Sequence, residues 1–325
     1  MSEPGLVSII ILNWNGARYL PDCIESIRNQ SYNPIEIIAV DNGSTDDSVR
    51  FLRNDFSEIR LITNDRNLGF AEGMNTGIAF SRGEFVLLLN EDCYLDPDFI
   101  VNGIQEFGVD PSLAWVGGLV YAWTDGNRTN TVINAAFALR RRFQLTTLPD
   151  VTSRQEALMA STCAILLRRT ALDDIRLGTN NWLDRSYFAY WEDTDLALRL
   201  WLRGWKCLYN PDLRVWHVVS GSVGGKKRLV DKPMALQRVA LRNRYRTMIK
   251  NIPRAALLSL LPGLLVSELM ILPYFALISP RTIICSIGAI WDVINSLPEI
   301  LERRRSIQNG SVLSSQYFLR FFQGF

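Results

Sequence analysis

EFVLLLNEDCYLDPD, residues 84–98, is the stretch that decides the fold of this chain. The five residues Phe85 to Leu89 are apolar without alternation. Such a run reads as a strand buried on both faces, as in a parallel sheet lying between helices. It stops abruptly at Asn90, Glu91 and Asp92, which stand at the strand's carboxyl end. In open α/β sheets, ligands gather just beyond such ends. Oxygen donors there suit a divalent cation, and a cation in turn suits a phosphate-bearing ligand. A solvated turn whose acids cap the next helix would use the same residues, and this segment alone leaves both readings open.

Outward from that strand, two patterns alternate. LVSIIIL (6–12), IEIIAV (35–40) and IRLIT (59–63) read as strands, and helical spacing covers 18–29, 46–54 and 71–81. This βαβαβαβ order predicts a mostly parallel sheet covered by helices. Residues 122–156, polar and carrying Arg140, Arg141 and Arg142, read as a long irregular insertion, the kind of segment that forms lids or binding loops.

The net charge of +2 over 325 residues gives no electrostatic case for a nucleic-acid partner. The five cysteines (Cys23, Cys93, Cys163, Cys207, Cys285) are scattered and lack a CxxC pair. That is neither a disulfide framework nor a zinc motif, and it fits a reducing compartment. Leu6 to Leu12 is too short for a secretory leader, so a cytosolic active part is expected.

The other strand ends carry polar groups too. Asp41 closes the second strand ahead of Asn42-Gly43-Ser44-Thr45-Asp46, a turn that caps the following helix. Capping does not explain Asp41, which precedes the turn. A carboxylate there accepts the N3–H of uracil or thymine and disfavours cytosine, whose N3 is an acceptor. Asn13-Trp14-Asn15-Gly16 ends the first strand, and NLGFAEGMNTGI (67–78) adds Asn67, Asn75 and glycines that helix packing would also explain.

In YFAYWEDTDLALRLWLRGW (187–205), Glu192, Asp193 and Asp195 open a helix closed by Gly204. The helix dipole favours acids in a first turn. Aromatic neighbours (Tyr187, Phe188, Tyr190, Trp191) add desolvation, which keeps a carboxylate basic enough to accept a proton. His217, the chain's single histidine, ends an extended segment before SGSVGGKK (220–227), a context that favours a ligand over a structural role.

The ordered set VSIIILNWNG, VDNGSTDDS, NLGFAEGMNTGI, LLLNEDCYLDPD, STCAILLRRTAL, YFAYWEDTDLALRLWLRGW and a histidine resembles family 2 glycosyltransferases. More narrowly, it is similar to their rhamnosyltransferase-like branch. The resemblance covers residues 6–220. It implies a GT-A fold and an enzyme that moves a sugar, rhamnose or another hexose, from a UDP- or dTDP-sugar with inversion. Residue by residue, it implies that Asp41 contacts the base, with Asn13, Asn42, Asn67, Asn75 and Asn90 also on the donor side. Asp92 would be the second acid of the metal-binding DxD, with His217 contacting the same Mg2+ or Mn2+. Asp193 would be the catalytic base, and Trp191 and Glu192 would meet the acceptor. Asp195 would be either a second acceptor contact or a helix cap. One departure is Asn90 at the first DxD position, which lowers the local negative charge. It keeps open a catalytically silent scaffold of the same fold. A sugar-nucleotide pyrophosphorylase would want a basic, glycine-rich triphosphate loop, and residues 10–20 supply only Arg18.

Residues 236–325 differ from the catalytic part, 1–235. Arg238, Arg242, Arg246 and Lys250 recur every fourth residue as a basic stripe. Residues 255–278 are apolar except for Glu268 and contain Pro262 and Pro273. A shorter apolar segment (282–291) is followed by Arg303, Arg304 and Arg305. The expectation is a set of helices on the inner membrane surface with basic residues at the headgroups, matching a lipid-linked or oligosaccharide acceptor. A homodimer interface would hide the same surface.

Overall fold

The computed structural model describes residues 2–124, 127–218 and 228–322. The βα alternation appears as β1 (Glu3–Asn13), α1 (Leu20–Arg28), β2 (Ile35–Asp41), α2 (Ser48–Asp55), β3 (Arg60–Thr63), α3 (Phe70–Phe80) and β4 (Gly83–Asn90). The four strands pair in parallel in the order β3-β2-β1-β4. The central strands β1 and β4 bury both faces over most of their length, which is why their apolar runs do not alternate in polarity, whereas the edge strand β3 is partly exposed. Val7, Ile9 and Ile11 meet Cys23, Ile24 and Ile27 of α1 in one core, while Ile10 and Leu12 meet Ala71, Met74 and Ile78 of α3 in the other. The helix α3 lies close on β1: a Cβ at Gly77 would stand 2.3 Å from Ile10 Cγ2. Packing therefore accounts for that glycine.

Beyond β4 come β5 (Cys93–Leu95), α4 (Phe99–Val109), β6 (Leu113–Thr124), β7 (Asn127–Asn134), β8 (Ala136–Arg140), β9 (Gln144–Thr147), β10 (Gln155–Glu156), β11 (Met159–Ala160) and β12 (Ala164–Arg168). The expected irregular insertion over 122–156 is thus corrected. Most of it is extended: β7 pairs antiparallel with β6, and β8 pairs with β9 in a small second sheet. β7 and β9 are short and largely exposed, so their sequence carries no apolar alternation to reveal them, while the buried β8 is only five residues long. Next are α5 (Arg169–Asp174), α6 (Glu192–Leu202) and β13 (Lys206–His217). The main sheet continues from β4 through β12, β6 and β13, with β12 antiparallel and β13 parallel to β6.

The C-terminal segment is helical: α7 (Met234–Asn251), α8 (Arg254–Ile278), α9 (Pro280–Asn295), α10 (Leu297–Asn309) and α11 (Ser315–Leu319). Ile252, Ala256, Leu260, Leu264, Ile307 and Phe318 share one core with Leu196 and Leu200 of α6. The basic stripe is a second correction. Arg238 pairs with Asp292 and Arg246 with Glu299, while Arg242 donates to the Ser186 carbonyl and Lys250 is fully buried. Asp292 of α9 and Glu299 of α10 thus pair across elements with two of its four cations, and Asp184 and Asp195 hold Lys250 inside the protein. Arg303 and Arg304 are likewise occupied, by Asp184 and by the carbonyls of Ile249 and Ile252.

Candidate functional site

Sheet register assembles the site. Asn13 lies opposite Asp41, and Leu12 opposite Asn90, so β1, β2 and β4 end together. Antiparallel pairing of β13 with β5 sets His217 beside Cys93. There His217 Nε2 comes within 3.1 Å of Asp92 Oδ1. Two ligand atoms on adjacent corners of an octahedron with bonds of about 2.1 Å lie roughly 3.0 Å apart. A carboxylate and an imidazole at this separation therefore fit one divalent cation. Burial alone would lower the His217 pKa, but Cys163 and Asp92 outweigh it and raise it. Glu91 is pushed up to about 8, first by burial and then by the adjacent Asp92.

At the end of β2, Asp41 is buried and accepts from Asn13 Nδ2 at 2.8 Å and from the Ser44 amide at 2.9 Å. Those bonds leave Asn13 Oδ1 buried without a partner, an open acceptor next to Asp41. Asn42 and Asn67 shape the neighbouring loop. Asn42 accepts from Asn64 and Leu68 and donates to Asn67 and the Gly69 carbonyl, while Asn67 accepts from the Gly69 amide. Asn75 is placed elsewhere: buried in α3, it bonds the backbone of Trp182 and Leu183 at 2.7–3.1 Å. There it anchors the 182–183 segment through both ends of its amide.

The acids of α6 separate by role. Asp193 accepts from the Thr194 amide at 2.6 Å and from the Thr194 hydroxyl at 3.1 Å. Burial raises its pKa, and those bonds oppose the rise. Glu192 is pushed up to about 8 by burial and then by Asp193, and its Oε2 has no hydrogen-bond partner. Asp195 does not join them. It is fully buried, with Arg199 at 2.9 Å, Lys250 at 2.8 Å and Asn251 at 2.8 Å. Its expected acceptor contact is therefore corrected to an internal ion pair. Trp191 precedes the helix and stacks on Phe143 at 5.4 Å between centroids. Tyr190 and Trp191 both adopt left-handed backbone, φ 67° and 73°. Strain of this kind, held in place by Asn243 donating to the Ala189 and Tyr190 carbonyls, is characteristic of sites that must present a group accurately. No glycine in the sequence marks it. The expected flexible segment 220–227 lies outside the described residues.

A profile of the Glycosyl transferase family 2 family matches residues 8–176, about half of the chain. The chain belongs to family 2 of the glycosyltransferases. Among relatives of this family 2 member, Escherichia coli chondroitin synthase is 36% identical over 114 residues, 34% of this chain and 16% of that protein. Glycosyltransferase GlyG of Streptococcus pneumoniae serotype 4 is 32% identical over 132 residues, 39% of this chain and 43% of that protein. Less than half of either relative is thus spanned. Among solved structures, GalNAc-T7 with UDP, GalNAc and Mn2+ superposes with a TM-score of 0.60 at 15% identity, covering 75% of this chain and 48% of that one. S. aureus TarS 1-349 in complex with UDP gives 0.58 at 15% identity, covering 97% and 91%. At such identity these likenesses establish the GT-A fold alone.

Proposed function

We propose that this glycosyltransferase moves a hexose, rhamnose among the candidates, from a UDP- or dTDP-sugar to a hydroxyl of a lipid-linked glycan, with inversion at the anomeric carbon. The convergence of Asp92 and His217 at the strand ends beside Asp41 carries this reading. Asp41 and Asn13 Oδ1 offer acceptors that match a pyrimidine N3–H. A divalent cation, Mg2+ or Mn2+, held by Asp92 and His217 would supply the positive charge that a departing nucleoside diphosphate requires. Asn90 stands at the first position of that motif and contributes an amide toward the donor. Asp193 takes the proton of the attacking hydroxyl, its basicity supported by burial. Glu192 holds that hydroxyl through its open Oε2, and Trp191 walls the acceptor.

The lipid part of the acceptor is supported by the C-terminal helices. One face of α8 (Ala256, Leu260, Gly263, Leu264, Ser267) docks onto the catalytic unit. The rest of α8, with α9, exposes Leu258, Leu265, Leu269, Leu277, Ile284, Ile287 and Trp291. Exposed apolar residues of this kind suit the interfacial layer of a membrane, and they support a reading of the enzyme as a peripheral protein on the inner face. Beneath it, a cavity of about 780 Å³ runs among Leu241, Met270, Ile271, Phe275 and Ile290 to Trp191, the neighbour of the catalytic acids.

Transfer from UDP- and dTDP-hexoses to a polyprenyl-linked acceptor, followed in wild type and Asp193→Asn, tests the chemistry. The expected outcome is turnover with the inverted linkage, reduced at least 100-fold in the variant. Donor binding without turnover would favour the silent-scaffold reading that Asn90 invites.

A further inference from the structure

Two thiols stand against the histidine of the site, and no step above uses them. Cys93 opens β5 and Cys163 precedes β12, and sheet pairing draws both to the end of β13. Their Sγ atoms and a ring nitrogen of His217 all lie within 4.8 Å of one another. Both cysteines are essentially inaccessible, at 0% and 2%, whereas the His217 side chain remains 19% exposed and opens an approach. Asp92 adds an oxygen 3.1 Å from His217 Nε2. Buried cysteines usually serve as small apolar residues. Here two of them share one imidazole, beside which Asp92 stands, a soft donor set unlike the oxygen ligands that Mg2+ prefers. A tetrahedral ion with bonds of about 2.3 Å to sulfur and 2.0 Å to nitrogen brings its ligand atoms to roughly 3.5–3.8 Å. Small side-chain rotations would close the set.

We propose that Cys93, Cys163 and His217, completed by Asp92, form a binding site for a thiophilic divalent ion, zinc foremost, whose occupation withdraws His217 and Asp92 from the hard cation of the donor site. Zinc is then an inhibitor of this enzyme. On binding, the cluster sheds its remaining protons to solvent, the sulfurs ending as thiolates and His217 as a neutral imidazole, so zinc uptake releases protons and tightens as pH rises. The competition rests on the donor-site reading above; the thiol site itself does not.

The test is titration of the chelator-stripped full chain with Co2+, followed by Zn2+. A thiolate-to-cobalt charge-transfer band in the near ultraviolet, saturating at one ion per chain and displaced by Zn2+ but not by Mg2+, is the expected result. A pale spectrum without that band would overturn the proposal. Cys163→Ser should weaken zinc binding by more than the roughly 100-fold that loss of a supporting residue costs. Zinc affinity unchanged in a Cys163→Ser variant of native circular dichroism would also overturn it. Because that variant can fail to fold, the wild type gives a second readout. Zinc, and not magnesium, should release protons from the native chain in weakly buffered solution as it binds, and no release on adding zinc counts against the site. Zinc should also cancel the stabilisation conferred by UDP with Mn2+. If the cobalt band appears while UDP with Mn2+ stabilises nothing, the thiol site stands and the donor reading falls.

Discussion

Replacing Lys250 by methionine should destabilise the whole protein, because this side chain ties the C-terminal helices to α6, the helix that Glu192 and Asp193 open. Its ammonium is 2.8 Å from Asp195 Oδ1 and bonded to Asp184, and all three side chains are fully buried. Removing one partner of a buried pair costs about 3–5 kcal/mol, since the other charge stays desolvated. Asp195 keeps Arg199 and Asp184 keeps Arg303, which points to the lower end, about 3 kcal/mol. Urea unfolding at pH 7 should show a lower midpoint with an unchanged slope. The pH dependence adds a second condition. Although burial pushes both carboxyls up, Lys250 leads the opposing interactions that hold them below the ordinary range. Their stabilisation is therefore present above the unfolded value near about 4 and is lost as pH falls through the lowered native values. In Lys250→Met the carboxyls protonate more easily, so the deficit should shrink as pH is lowered from 7 towards 4. A loss below about 1 kcal/mol, or a deficit constant over that range, would refute the reasoning.

Glu192→Gln should raise the melting temperature at pH 8.5 and change it little at pH 4. The native carboxyl sits at about 8 against 4.5 in the unfolded chain, so folding holds its proton and stability falls between those values. An equal effect at both pH values would mean that Glu192 is not desolvated. Gly69→Ala should cost about 1–3 kcal/mol in chemical denaturation. Gly69 has φ +84°, and a Cβ there would lie 2.4 Å from the Phe188 carbonyl oxygen. Gly108→Ala, in α4 with nothing within 4 Å of the added methyl, is the control and should be neutral or stabilising. On vesicles containing anionic lipid, Leu269→Lys with Ile287→Lys should reduce co-sedimentation, whereas the internally paired Arg246 should matter only through folding. Undiminished sedimentation of the double variant would remove the apolar face as the membrane contact.

What the sequence disclosed is set by how local each signal is. Unbroken apolar runs ending in Asn13, Asp41 and Asn90 identify parallel strands and the edge where they finish, because burial on both faces and the abrupt polarity change are written within a few residues. Asp195 looked like its neighbours Glu192 and Asp193. Its partner Lys250 is far along the chain, on α7, and only packing shows that this acid turns inward. The stripe of Arg238, Arg242 and Arg246 failed for the same reason: helical spacing tests for acids on one helix, and Asp292 and Glu299 come from two others. The strands β7 and β9 are hidden by their exposure, which leaves them polar. Cys93 and Cys163 sit 70 positions apart and meet His217 only through sheet pairing, so no spacing rule could have joined them.

The central claim is a pyrimidine nucleoside diphosphate site that needs Asp92 and His217 together with a divalent cation. Its most direct test is thermal stabilisation by UDP, dTDP and GDP, each with and without Mn2+, in wild type and Asp92→Ala. A ligand at a hundredfold its dissociation constant adds about 2.7 kcal/mol. The account predicts that UDP or dTDP stabilises the wild type only with Mn2+, that GDP does not, and that Asp92→Ala abolishes the effect. Equal stabilisation by GDP, or a UDP effect indifferent to Mn2+ and to Asp92→Ala, would contradict it.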